Sequence, residues 1–374
     1  MQKRGKRENS GQKKKKKWPI WAWVVSGFFL AIVLIFVLAI IFGSPDDTND
    51  GNIPELETTY LPSIMSGVYN QYPNLNLQLL EYNLTNKGDK PITVTFVSEI
   101  QDYTSQAKDI LVLQPHESTV FSQHPLLKPS VQINEITNAN LYFKVAVGNT
   151  SVDEETIPIK LYSKDTMIWG FEEDEEFIDT SYLIGAWVTP HIEEIDQLIR
   201  ISAEYHPDRV MTGYQCSDCE TDEDWQTYTD LQVGAIYTAL KEQYDIIYIN
   251  TPIAYSSHEE ASQRVKLPKE TIDLASANCI EGAVLFSSAL ESAGINPYIV
   301  LLPGHAFVCW DISPDGKIID CLEATMIQNY DFFDAEKEGL KEYKAETDSG
   351  NFEDGTSQLI SIKELRDEDI VPMS

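Results

Sequence analysis

Residues Trp18–Phe42 form a run of 25 residues without a charge. A helix of that length reaches across the ~30 Å hydrocarbon core of a bilayer. The 17 residues before it carry nine Lys or Arg and one Glu. That bias sets the N-terminus in the cytoplasm and everything after Gly43 outside. Trp18, Trp21 and Trp23 lie at the basic end, where an aromatic belt is expected. The run is too long for a signal-peptide core, and no small-x-small cleavage site precedes Ser44. The reading is an uncleaved anchor in contact with membrane lipid through residues 18–43, so the remaining chain must fold on the far side of the membrane.

Charge narrows what that part can meet. The whole chain carries −31, and taking away the +8 of the tail leaves −39 for residues 18–374. A surface that acidic repels phosphate backbones and argues against nucleic acid as a partner.

Residues 44–58 are a polar linker containing Pro and Asp. Residues 59–168 then alternate strand patterns with turns. A strand from Leu75 to about Leu84 leads into the turn Asn86–Asp89, and Ile92–Val97 returns. Ile110–Leu113, Ser118–Phe121, Asn140–Val147 and Ile157–Tyr162 follow. Short strands at this spacing predict a β-sandwich of Ig-like size, with His116 and His124 in its loops. The acidic run Phe171–Asp179 reads as a solvated boundary. Helical periodicity begins after Trp187, with Thr189-Pro190 as cap and first residue and a second helix from about Asp230 to Gln243.

The chemistry concentrates in Ser276–Thr325. Asn278 is a good N-cap and Glu281 stands at the capping-box spacing, so Cys279 opens a helix that Gly294 ends. Cys279, Ala283, Phe286 and Leu290 form its apolar stripe. A strand Tyr298–Leu302 follows, then Pro303-Gly304, then His305–Ile312, a turn, and an antiparallel return over Lys317–Thr325. A thiol at a helix N-terminus sits where backbone N–H groups and the helix dipole favour a thiolate. A His on a neighbouring strand can exchange its proton, and a carboxylate across the hairpin can hold the imidazole. With Ile312–Gly316 as the loop, His305 lies opposite Glu323, and Asp320 points to the other face opposite Val308. With a loop one residue shorter, Asp320 shares the face of His305 but sits four residues away, ~13 Å. Glu323 is therefore the expected third member. For an oxyanion donor, Gln263 offers only polarity and position.

Of the five cysteines, Cys216 and Cys219 form a CxxC in an acidic loop. Zinc would need two further ligands and a redox dithiol a βαβ context, so outside the cell a local disulfide is expected. Cys309 and Cys321 are expected to be buried thiols. No cofactor or metal set is indicated.

Asn278-Cys279, Gly304-His305-Ala306-Phe307-Val308 and Leu322-Glu323-Ala324-Thr325 resemble the transglutaminase-like superfamily with its papain-like cysteine core. The resemblance covers about residues 180–345. One departure is Glu323, where the family acid is usually Asp in an Asp-Pro-Thr-like context. The resemblance implies an α+β fold over residues 180–374, with Cys279, His305 and Glu323 as the catalytic set. It also implies acyl chemistry on peptide or protein amides through a thioester. Water as acceptor gives a peptidase or amidase, an amine gives a cross-linker, and no residue decides between them. The other class of reading is a non-catalytic surface binding or scaffold protein on the same fold.

Overall fold

The structure is a computed structural model and describes residues 53–75, 77–173, 176–250, 253–255 and 261–373. The expected membrane segment lies outside the described residues, and among the described residues no helix is long and apolar enough to cross a membrane. The described chain is a mixed α/β structure.

Its first part is two sheets. One is the three-stranded order β1 (Glu55–Tyr60), β3 (Leu80–Thr85), β6 (Ser118–Gln123). The other runs β2 (Ser63–Met65), β8 (Thr150–Tyr162), β7 (Thr137–Val147), β4 (Ile92–Ile100), β5 (Ala107–Leu113). Alternation decides which face is covered: Ile92, Val94, Phe96 and Ile100 of β4 are buried, and Leu141, Phe143 and Val145 of β7 match them. Phe96 meets Tyr82 of β3 with ring centroids 4.9 Å apart and Phe121 of β6 at 4.5 Å, so the two sheets pack through these rings.

Two elements differ from the expectation here. β3 starts at Leu80, because Leu75 and Leu77 donate their N–H groups to Gln71 and Tyr72 in successive turns. His124 lies in a loop after β6, as expected, and its ring stacks there on Tyr69 at 4.1 Å, with burial pushing its pKa down to about 4. The acidic run is a hairpin of β9 (Thr166–Glu173) and β10 (Glu176–Asp179), not a linker. β12 (Ala261–Arg264) joins that hairpin and brings distant sequence into one sheet. Gln71 and Val371 exchange hydrogen bonds at 2.8 and 2.9 Å, tying the chain end to the same region.

Helices α1 (Glu193–Tyr205), α2 (Asp222–Glu242), α3 (Pro268–Asp273) and α4 (Cys279–Ala293) follow. α1 starts after Ile192, three residues later than the Thr189-Pro190 reading, and the Thr189 N–H donates instead to Ser288 Oγ at 3.0 Å. α2 starts eight residues earlier than expected, because Thr221 and Asp224 form a reciprocal capping box. Beside the helices, the short strands β11 (Ile247–Tyr248) and β13 (Ser276–Ala277) pair in parallel.

α4 lies against a four-stranded sheet, β16 (Ile319–Leu322), β15 (His305–Asp311), β14 (Pro297–Leu302), β17 (Gln358–Ser361). Val308 and Trp310 face the main core with α4, whereas Phe307 and Cys309 face Tyr343 and Phe352 on the other side. Tyr343 belongs to α5 (Phe332–Ser349), and α6 (Ile362–Asp367) closes the fold.

The β15–β16 register differs from the expected one by two residues. Val308 pairs with Leu322, Cys309 with Cys321 and Trp310 with Asp320. The loop is longer than expected: Ile312 N–H donates to Ile318 O at 3.1 Å, and Gly316 takes a left-handed φ of 64° within it. A two-residue slip keeps every side chain on its face, because the strand period is two. It also sets Cys309 directly across from Cys321, and the two are a disulfide rather than buried thiols. Cys216 and Cys219 form the second disulfide.

Candidate active site around Cys279

Cys279 is the first residue of α4. Asn278 Oδ1 accepts from Glu281 N at 3.0 Å, and Glu281 Oε2 accepts from Asn278 N at 2.9 Å. Lys266 Nζ stands 3.1 Å from the same Glu281 oxygen and donates to Ser276 O at 2.6 Å. The helix start is thereby fixed to the strand before it. Cys279 is the free cysteine, and it is 1% exposed.

His305 begins β15 directly after Gly304, whose φ of 80° suits a residue without a side chain. Its Nε2 lies 2.7 Å from Glu323 Oε2. Glu323 follows β16, is buried, and uses its other oxygen to accept from Thr325 N at 2.9 Å. The Glu323 N–H donates to Ala335 O of α5 at 3.0 Å. Burial of the imidazole disfavours its charge, but hydrogen bonds with Cys279 and Glu323 and the negative charge of both outweigh this. The His305 pKa is raised to about 10. Nε2 is the ring nitrogen that meets the acid. Thiol, imidazole and carboxylate thus stand in sequence for proton transfer.

The structure brings Cys279, His305 and Glu323 together. Asp320 lies elsewhere: Gln226 Nε2 donates to its Oδ2 at 2.7 Å and Cys321 N to its Oδ1 at 2.8 Å. Gln263 Oε1 accepts from Ala254 N at 2.7 Å.

Sequence reasoning missed two residues. Glu342 of α5 places Oε2 3.5 Å from His305 Nε2. Tyr248 is set by its pairing with Ala277, two residues before Cys279. Burial raises its pKa, and the charges of Cys279 and Glu323 add to the rise. Tyr248, Asn278, Gly282, Phe286, Ala324 and Ile327 line a small, mostly apolar cleft at the start of α4.

Among the described residues, two groups of side chains have donor spacing compatible with a metal ion, with donor atoms within 4.8 Å: His305, Glu323, Glu342, and Asp230, Asp320, Glu336. In the second, burial raises the pKa values of Asp230 and Glu336, and mutual acidic charge adds to the rise for Asp230.

No family model matches this chain, and no curated protein matches it. A solved structure titled as inhibition of the exo-beta-D-glucosaminidase CsxA by a castanospermine and an amino-australine analogue is similar to part of it. The alignment is 10% identical, takes in 62% of this chain and 30% of that chain, and has a TM-score of 0.19. An overlay at that score carries no argument about fold or activity.

Proposed function

We propose that the chain is a membrane-anchored, extracytoplasmic thiol enzyme of transglutaminase-like type. On this reading residues 59–168 are a β-sandwich module and residues 180–374 a papain-like α+β domain. It acts on amide bonds of peptides or proteins through a thioester. The observation that carries the reading is the His305 ring, held by Glu323 at 2.7 Å, with Cys279 near enough to raise the pKa of the same ring.

The Cys279 sulfur adds to the amide carbonyl carbon, and the carbonyl electron pair moves to oxygen. The Cys279 N–H and the Tyr248 hydroxyl are the donors for that oxyanion. His305 gives its proton to the leaving nitrogen, the C–N bond breaks, and an acyl thioester remains. Water or an amine then gives a proton to His305, attacks the thioester and frees the thiol. Glu323 keeps the imidazole oriented and charged.

The test is alkylation of Cys279 by iodoacetamide, followed by mass mapping, beside release of amine from a mixed peptide pool. Cys279 should react faster than free cysteine, and Cys279→Ala should abolish amine release. Protease shaving of intact cells should remove residues 44–374, and protection from it refutes the proposed topology.

One observation favours the second reading, a non-catalytic surface scaffold. Cys279 is 1% exposed, and a nucleophile must be reached. A Cys279 that alkylates no faster than free cysteine selects the scaffold.

A further inference from the structure

We propose that Glu342 is a positioning residue, a second carboxylate that holds the His305 ring and keeps it charged. The inference rests on the thiol-enzyme reading and names the device that tunes that site.

The placement begins in the helix. Ala335, Gly339 and Glu342 stand at i, i+4 and i+7 on α5, one face of a helix. Ala335 O takes the Glu323 N–H at 3.0 Å. At Gly339 the helix touches the end of β16: an added Cβ would lie 2.7 Å from Leu322 N and 2.8 Å from Glu323 N. No side chain fits there, and the close approach aims the next residue on that face at the hairpin. Glu342 Oε2 thus arrives 3.5 Å from His305 Nε2, the same nitrogen that Glu323 holds at 2.7 Å.

The single Nε2–H therefore has two anionic neighbours, one close and buried and one longer. The His305 side chain is 28% exposed, Glu323 5% and Glu342 30%, so Glu342 is the acid on the open side. The titratable groups facing Glu342 are Glu323, His305 and, on its own helix, Glu338 and Lys341; Cys279 faces His305 from α4. Burial raises the Glu342 pKa and the Glu323 charge adds to the rise, while the imidazolium works against both. Two carboxylates side by side are repulsive unless a cation stands between them, and the protonated ring is that cation. The reciprocal consequence is that each carboxylate makes the ring harder to deprotonate.

The experiment is the rate of iodoacetamide alkylation of the full chain against pH, in the parent and in Glu342→Gln. Cys216, Cys219, Cys309 and Cys321 are all in disulfides, so alkylation reads Cys279 alone. The alkaline inflection, where His305 loses its proton, should fall by about one pH unit in Glu342→Gln. Glu342→Asp should restore part of the shift. A thermal melt separates a folding defect from this effect, since loss of packing alone does not move the inflection. An unmoved inflection in a folded Glu342→Gln protein overturns the role of Glu342 and leaves the thiol reading intact. A parent whose Cys279 is no more reactive than free cysteine overturns the thiol reading, and this inference with it.

Discussion

Replacing Glu323 by Gln removes one negative charge and almost no volume, so its effect reads the charge and the acceptor count. The carboxylate accepts two N–H groups, from His305 Nε2 at 2.7 Å and from Thr325 N at 2.9 Å. A Gln amide has one oxygen, so one of these two N–H groups must face an NH₂ group. That leaves a buried donor without a partner, at a cost of about 1–3 kcal/mol. The electrostatic part is larger in gross terms, about 6 kcal/mol for unit charges at 2.7 Å and an effective dielectric of ~20. Desolvation offsets much of it, and the net effect of a lost counter-charge is about 1–3 pH units on the imidazole. Turnover should fall by about 10²–10⁴, as when a catalytic His loses its orienting carboxylate. The assay is amine release, with a thermal melt on the same samples. Asp320→Asn is the control, because that carboxylate is held by Gln226 and the Cys321 N–H. A silent Glu323→Gln, or an Asp320→Asn as damaging as Glu323→Gln, would refute the assignment of the acid.

Tyr248→Phe should slow amine release about 10²-fold through loss of an oxyanion donor, yet leave iodoacetamide alkylation unchanged, because that displacement forms no oxyanion. Equal loss in both assays would mean that Tyr248 only holds Cys279 in place. The double variant Cys309→Ala, Cys321→Ala should lose about 3 kcal/mol in a denaturant titration, the closure of a loop of sequence separation 12. Mass mapping that finds both thiols free in the parent would contradict the pairing. Stability should fall as pH rises from 6.5 to about 10, since folded His305 keeps a proton that the unfolded chain gives up. Each such proton contributes about 1.4 kcal/mol per pH unit across that window. The raised Asp230 and Glu336 act in the same sense, so Asp230→Asn should flatten the slope. A melting temperature that is level or rising over this range would reject the sign.

What could be read from the sequence was what local chemistry decides. Asn278, Glu281 and Gly294 mark both ends of α4 by backbone rules alone, and the structure places cap, capping box and left-handed terminus where those residues stand. Cys279 and His305 follow from those ends, one at the helix start and one after Gly304. Glu323 shows why a wrong intermediate can still give a sound placement. The expected hairpin register was off by two residues, but strand faces repeat every two, so Glu323 stayed on the face of His305 and Asp320 stayed off it. The same slip did matter for Cys309 and Cys321, because a disulfide needs the directly paired residue and not merely the shared face. Glu342 was out of reach for a different reason. Its distance to His305 is set by how α5 docks at Gly339, a contact between residues that no local pattern links. The signal was present in part, as Ala335, Gly339 and Glu342 mark a helix face with small residues where a backbone can approach. Only the partner of that face was unreadable. Tyr248 is parallel to this case: a two-residue strand has no periodicity of its own, and its pairing with Ala277 is a long-range fact. The legible half of the candidate site is therefore the position of Cys279, the position of His305 and the face of Glu323. The illegible half is what closes around them, and that half is what the Glu342 and Tyr248 variants probe.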